Sequence, residues 1–159
     1  MALNGWFQPS FLGNHVGKKL VNMSTDTFIF GLIAGPSGDL AARTVTEGYE
    51  FVSQLLANNG TALTEVSTVG TGYTRQDAAS IAWSFAALIN TFTCASPEWN
   101  PATFTACYGW IHDETASSGT DATRPLLAIY DFGGPQSPSG VPFELTVNAS
   151  GIWTDTASQ

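Results

Sequence analysis

Ala102-Thr103-Phe104-Thr105-Ala106-Cys107-Tyr108-Gly109-Trp110-Ile111-His112 is followed by Pro125-Leu126-Leu127-Ala128-Ile129-Tyr130-Asp131-Phe132-Gly133-Gly134 and then by the run from Val141 to Trp153. Three apolar or alternating runs separated by Gly, Pro, Ser and Thr clusters are the pattern of short antiparallel strands. The expected fold is α+β and mostly β: an antiparallel β-sandwich with one or two short helices. In the run Thr103–Ile111, Phe104, Ala106, Tyr108 and Trp110 fall on one face, the predicted inward one. Thr103, Thr105, Cys107, Gly109 and Ile111 fall on the other. Phe143, Leu145 and Val147 are predicted to close the core, with Glu144, Thr146 and Asn148 outward.

Working outward, strands are expected near Phe28–Ala34, Ile81–Ala87, Thr103–Ile111, Leu126–Phe132 and Phe143–Asn148, with a shorter one over Ala62–Val66. The period changes after Thr44. Tyr49, Val52, Leu55 and Leu56 recur at three- and four-residue spacing up to the stop at Asn58-Asn59-Gly60, which predicts a helix within Thr46–Asn58. A second short helix over Asn14–Asn22 is weakened by Gly17 and by Gly13 just before it. Gly35-Pro36-Ser37-Gly38 and Gly70-Thr71-Gly72 read as turns. Leu88–Pro101 reads as an irregular excursion, because Asn, Thr, Ser and Pro interrupt any period, and Thr115–Thr123 reads as a polar loop.

The chain has 159 residues, enough for one domain with one substantial core. Residues 1–13 are set apart. Trp6, Phe7 and Phe11 stand among Gly5, Gln8 and Pro9 with no period of their own, so they are read as an N-terminal arm before a single domain over 14–159. Such aromatics need a surface to pack on, either a groove of the same domain or a neighbouring subunit.

Hydrophobic residues make up 43% of the chain, which argues against disorder, and charged residues only 11%. Soluble domains carry about 25% charged residues, so part of this surface is expected to be covered by other subunits. Five Lys+Arg against 13 Asp+Glu give a net charge of −8, which argues against a nucleic-acid surface. No apolar run approaches the ~20 residues of a membrane span. The N-terminus has no basic and apolar leader, so synthesis in a cytoplasm is expected. Asn22-Met23-Ser24, Asn59-Gly60-Thr61 and Asn148-Ala149-Ser150 match a glycosylation acceptor, which without a leader is read as chance.

Chemistry is thinly marked. Cys94 and Cys107 are read as small, unpaired hydrophobes, and no ligand cluster surrounds either, so no metal and no cofactor are expected. His112-Asp113-Glu114 is the nearest approach to an active constellation, but only His112 and Glu114 share a strand face, and the stretch is read as a solvated strand end. Gly-x-Ser-x-Gly, His-Glu-x-x-His, Walker and dinucleotide-binding patterns are absent. Asp131 and Asp155 do not define a glycosidase pair from sequence. Trp83, Trp99, Trp110 and Trp153 are candidates for sugar stacking, although core filling is the commoner role for strand aromatics.

In their order, Asp26-Thr27-Phe28-Ile29-Phe30-Gly31-Leu32, Gly70-Thr71-Gly72-Tyr73-Thr74, the aromatic run ending at His112-Asp113-Glu114, the Asp131-Phe132-Gly133-Gly134 turn and Asn148-Ala149-Ser150-Gly151-Ile152 resemble a family of tailed-bacteriophage virion proteins of similar length. The likeness spans roughly Asn14 to Asp155. It implies a mostly-β, non-enzymatic part of the virion with no catalytic residues. The expected role is a capsid decoration or cement protein on the outer capsid, bound to the major capsid protein and to copies of itself, with no nucleic acid or membrane partner. The alternatives are a tail or neck component, or a carbohydrate-binding host-attachment module. Trp6, Phe7, Phe11 and Trp99 are the candidate partner-contact residues.

Overall fold

A computed structural model of the chain describes residues 4–7, 21–35, 49–57, 63–86, 89–115, 119–148 and 151–156. Its elements are β1 (Asn4–Phe7), β2 (Phe28–Ile33), the short helix α1 (Val52–Leu56), β3 (Gln76–Asp77), β4 (Ala82–Ala86), β5 (Ile89–Thr93), β6 (Glu98–Thr103), β7 (Ala106–Asp113), β8 (Leu126–Gln136), β9 (Ser139–Glu144) and β10 (Trp153–Thr156). The fold is mostly β and its strand pairs are antiparallel. One sheet runs β1-β8-β7-β2-β3, a second β10-β5-β4, and β6 pairs with β9 in a two-stranded ribbon.

The central strand departs from the predicted alternation. All 8 residues of β7 are buried, because the five-stranded sheet is covered on both faces. Ala106 and Ile111 pack with Phe28, Phe30 and Leu32 of β2, Phe92 of β5 and Trp99 of β6. Cys107, Tyr108 and Trp110 pack on the opposite side with Ile33, Ile129 and the helical Val52 and Leu55. Ala106 and Tyr108, predicted to share a face, therefore separate. The β7–β8 register shifts between them, and one irregular step reverses the parity of a strand. The predicted strand over 103–111 is also split: Thr103 ends β6, and residues 104–105 lie outside either strand.

Other boundaries move for physical reasons. The stretch 88–101, expected to be irregular, supplies β5 and most of β6. Pro101 is tolerated because both strands of a two-stranded ribbon are edges, and the register shifts between Trp99 and Ala102 around it. The predicted burial over 143–148 holds, with Leu145 fully buried and Glu144, Thr146 and Asn148 exposed. The strand itself, however, starts earlier, at Ser139, and ends at Glu144. The stretch expected as a strand near residues 62–66 contributes only a bridge from Glu65 to Ile33. The helix occupies the core of its predicted span. Gln54 closes its first turn by accepting from the backbone N–H groups of Glu50 (2.6 Å) and Phe51 (3.0 Å).

The turn at Gly70-Thr71-Gly72 is as expected. Gly70 and Gly72 both have φ of 69°, and a side chain on Gly72 would collide with the Pro101 carbonyl. The predicted helix over 14–22 lies almost wholly outside the described residues, as do Phe11 and the end of the 35–38 turn. Of the N-terminal arm, residues 4–7 form β1, which adds to the free side of β8.

Candidate functional site

The chain's few charges converge at one end of the central strand. Tyr73 and Arg75 follow the glycine turn and lead into β3, while Glu65 is held by its bridge to Ile33. Trp110, His112 and Glu114 recur at every second position along β7 and just beyond it, so all three address one side of the sheet. Asp121 and Arg124 come from the β7–β8 connection, whose carbonyls also anchor α1. Ser53 N–H donates to the Asp121 carbonyl at 2.8 Å and Val52 N–H to that of Arg124 at 3.1 Å.

These groups form a closed ring. Arg75 grips Glu65 through Nε and Nη2, both at 2.8 Å, and Asp121 through Nη1 at 2.7 Å and Nη2 at 2.9 Å. Asp121 also accepts from Arg124 Nη1 at 2.7 Å, and Arg124 donates from Nε and Nη2 to the two oxygens of Glu114. Glu114 meets His112 Nε2 at 3.2 Å, and the Trp110 indole N–H donates to His112 Nδ1 at 3.1 Å. The Arg75 guanidinium closes the circuit, with its central carbon 5.3 Å from the Trp110 ring centroid. Tyr73 joins from one side, accepting from Leu32 N–H and donating to Glu65.

Geometry fixes the protonation states. Because the Trp110 N–H can only donate, His112 Nδ1 is an acceptor and Nε2 carries the proton given to Glu114: a neutral imidazole. Burial pushes the His112 pKa down to about 4, with the Arg75 and Arg124 charges adding to it and Glu114 opposing. Hydrogen bonds from Arg75 lower Asp121 to about 2, and Arg124 holds Glu114 below the usual carboxylate range. Burial alone would lower Arg75, but the bonds to Glu65 and Asp121 outweigh it and keep it charged. Burial raises Tyr73, and the Glu65 charge adds to this.

The ring gives stability a defined pH dependence. In the unfolded chain a histidine titrates near 6.5, so between that pH and about 4 the unfolded state binds the extra proton and the folded state refuses it. Unfolding free energy is expected to fall by about 3 kcal/mol as pH drops through this window. A further loss follows below the ordinary aspartate pKa of 3.8 as Asp121 is protonated. Guanidinium unfolding midpoints at pH 7, 5.5 and 4.5 measure the slope. His112→Gln, which keeps a donor and an acceptor but does not titrate, should flatten it, and an unchanged slope in that variant would contradict the assignment.

The arrangement holds pieces together rather than presenting a reactive group. Both His112 nitrogens are engaged and the residue is 0% exposed, which corrects the expectation of a solvated strand end at 112–114. Among the described residues no group of three or more His, Cys, Asp or Glu is placed to hold a metal ion. Cys94 and Cys107 are both free and buried, and burial pushes the Cys94 thiol up to about 12. Asp131 uses a carboxylate oxygen to accept from Gly133 N–H at 2.8 Å, tying its own turn.

The predicted contact residues are dispersed. Trp99 is corrected to a core residue. It is 1% exposed, stacks on Tyr73 with centroids 6.1 Å apart, meets Phe104 and Phe143, and donates its indole N–H to the Thr74 carbonyl at 2.6 Å. Trp6 and Phe7 lie on β1, opposite Ile129 and Ala128 of β8. Phe11 is outside the described residues. Of the tryptophans considered for sugar stacking, Trp110 is buried like Trp99 and Trp83 is half-buried against Phe92.

Reading the sequence singled out neither arginine. The available signal was scarcity: the chain has five Lys+Arg, and Arg75 and Arg124 are two of them. Comparison against protein-family models, curated proteins and solved structures finds no match to this chain.

Proposed function

We propose that this chain is a non-enzymatic structural component of a tailed-bacteriophage virion, most simply a capsid decoration or cement protein bridging major capsid subunits. One observation carries the reading: Arg75 and Arg124 are taken up in an internal ring that ties the 65–75 segment, β7 and the β7–β8 connection together, a structural rather than a reactive use of their charge. Among the described residues, the exposed ones are mostly neutral Ser, Thr, Asn and Gly, together with the exposed β9 strand that carries Val141. Such a surface is suited to broad, repeated contacts with neighbours, where many modest interfaces add up. The resemblance in the order of motifs from Asp26 to Ile152 supports a tailed-phage virion as the class of assembly.

Burial of Trp99 and Trp110 speaks against a carbohydrate platform built on those two residues. Mass spectrometry of purified particles of the phage encoding this chain tests the proposal. The chain should be present in many copies per particle, and its absence would refute a virion role.

A further inference from the structure

His112 occupies the point in the ring where a single proton reverses a hydrogen bond. As a neutral imidazole it accepts from the Trp110 indole N–H at Nδ1 (3.1 Å) and gives its Nε2 proton to Glu114 (3.2 Å). As an imidazolium it carries two donors and no acceptor nitrogen in any ring orientation, so the Trp110 N–H, which can only donate, faces a second donor. Both side chains are fully buried, and water reaches the stranded N–H only if the site opens.

The surroundings sharpen the conflict. Arg75 from the 65–75 segment and Arg124 from the β7–β8 connection both oppose a charge on His112, while Glu114 favours it. Glu65 and Asp121 are turned toward the guanidinium groups. Across the ladders His112 meets Ile29 of β2 and Leu126 of β8, which cannot balance a charge. α1 carries no ionisable side chain, and the further acidic groups on the surrounding elements, among the described residues, are Glu50 before α1, Asp113 next along β7 and Asp77 of β3. Glu114 and Asp121 are held low enough to stay ionised where His112 takes its proton, near pH 4.

The disturbance has a route outward. Trp110 is the platform under Arg75, and Arg75 joins Asp121 to Glu65. A displaced indole therefore loosens the connection, whose Asp121 and Arg124 carbonyls accept from the Ser53 and Val52 N–H groups of α1. Phe28, Phe30, Phe92, Trp99 and Leu145 pack in the other cluster, on the opposite side of the sheet from Trp110, and keep it assembled.

We propose that His112 is an acid-operated latch: its protonation frees the 119–124 connection from Arg75 and α1 while the sheet strands stay paired. The latch differs from a uniform loss of stability in producing a locally open state ahead of unfolding. It rests on the ring alone and is independent of the virion reading.

NMR of the full chain from about pH 6.5 to about pH 3.5 follows the His112 ring and the amide protection factors, each corrected for intrinsic exchange at the same pH. The expected result is a loss of protection at Val52 and Ser53 at least about tenfold greater than at Leu145 and Ile152, whose N–H groups bond the Pro97 and Phe92 carbonyls in the other cluster. Its midpoint should coincide with the His112 titration. His112→Gln, which does not titrate, should abolish the selective loss; if that variant does not fold, the coincidence of midpoints in the unaltered chain decides. Equal loss at all four amides, no selective loss over the range, selective loss while His112 is still neutral, or selective loss that persists in His112→Gln would each overturn the proposal.

Discussion

Arg75→Met is expected to destabilise the protein by about 3 kcal/mol, lowering the thermal midpoint by roughly 6–12 °C. Arg75 makes four charge-assisted hydrogen bonds, to Glu65 and Asp121, and its guanidinium lies against Trp110. Removing it leaves two carboxylates facing each other in a partly enclosed site, with side-chain exposures of 27% and 30%. That residual access to water is why the loss stays at the low end for breaking a buried pair. Arg75→Lys keeps the charge but not the planar fork that serves two carboxylates at once, so it should recover only part of the loss. Differential scanning calorimetry of the three proteins provides the comparison. A loss below about 1 kcal/mol for Arg75→Met would place the ring among ordinary surface ion pairs.

Gly31→Ala is expected to cost a similar amount by a different mechanism. Gly31 of β2 pairs across the ladder with Trp110 of β7, and the fully buried indole occupies the space where a Cβ would stand. A methyl group there must displace Trp110, and with it the hydrogen bond to His112 and the platform under Arg75. Overpacking of this kind costs about 3 kcal/mol when the neighbour is a rigid ring that cannot swing aside. Trp110→Leu should itself be destabilising, yet the double variant should be more stable than the sum of the two losses by about 1–3 kcal/mol, because the leucine vacates the overlap. Strict additivity in denaturant unfolding would show that the two sites do not touch.

The fold was legible where local pattern and burial agree. β2, β4 and the helix fall within their predicted spans, since a fully apolar run, an alternating run and a helical period each survive in the folded chain. β7 was found but its inward face was misread. A central strand covered on both sides has no outward face, and the register shift after Ala106 cannot be read from alternation. β5 and β6 were missed because their Asn, Thr and Pro residues resemble a loop, while pairing to a distant strand supplies what local propensity lacks. β1 went unread for the same reason.

The ring was nearly illegible. Its members come from four separated segments, and only the spacing of Trp110, His112 and Glu114 on one strand face is local. Trp99 shows the converse error: an aromatic in a Pro- and Asn-rich stretch reads as a candidate partner contact until Tyr73, Phe104 and Phe143 are seen to enclose it.

A cryo-electron microscopy map of the virion proposed to carry this chain tests the proposal most directly. The account predicts repeated density for the β fold on the outer capsid, each copy touching more than one major capsid subunit; density confined to the tail or neck, or none on the particle, would contradict it.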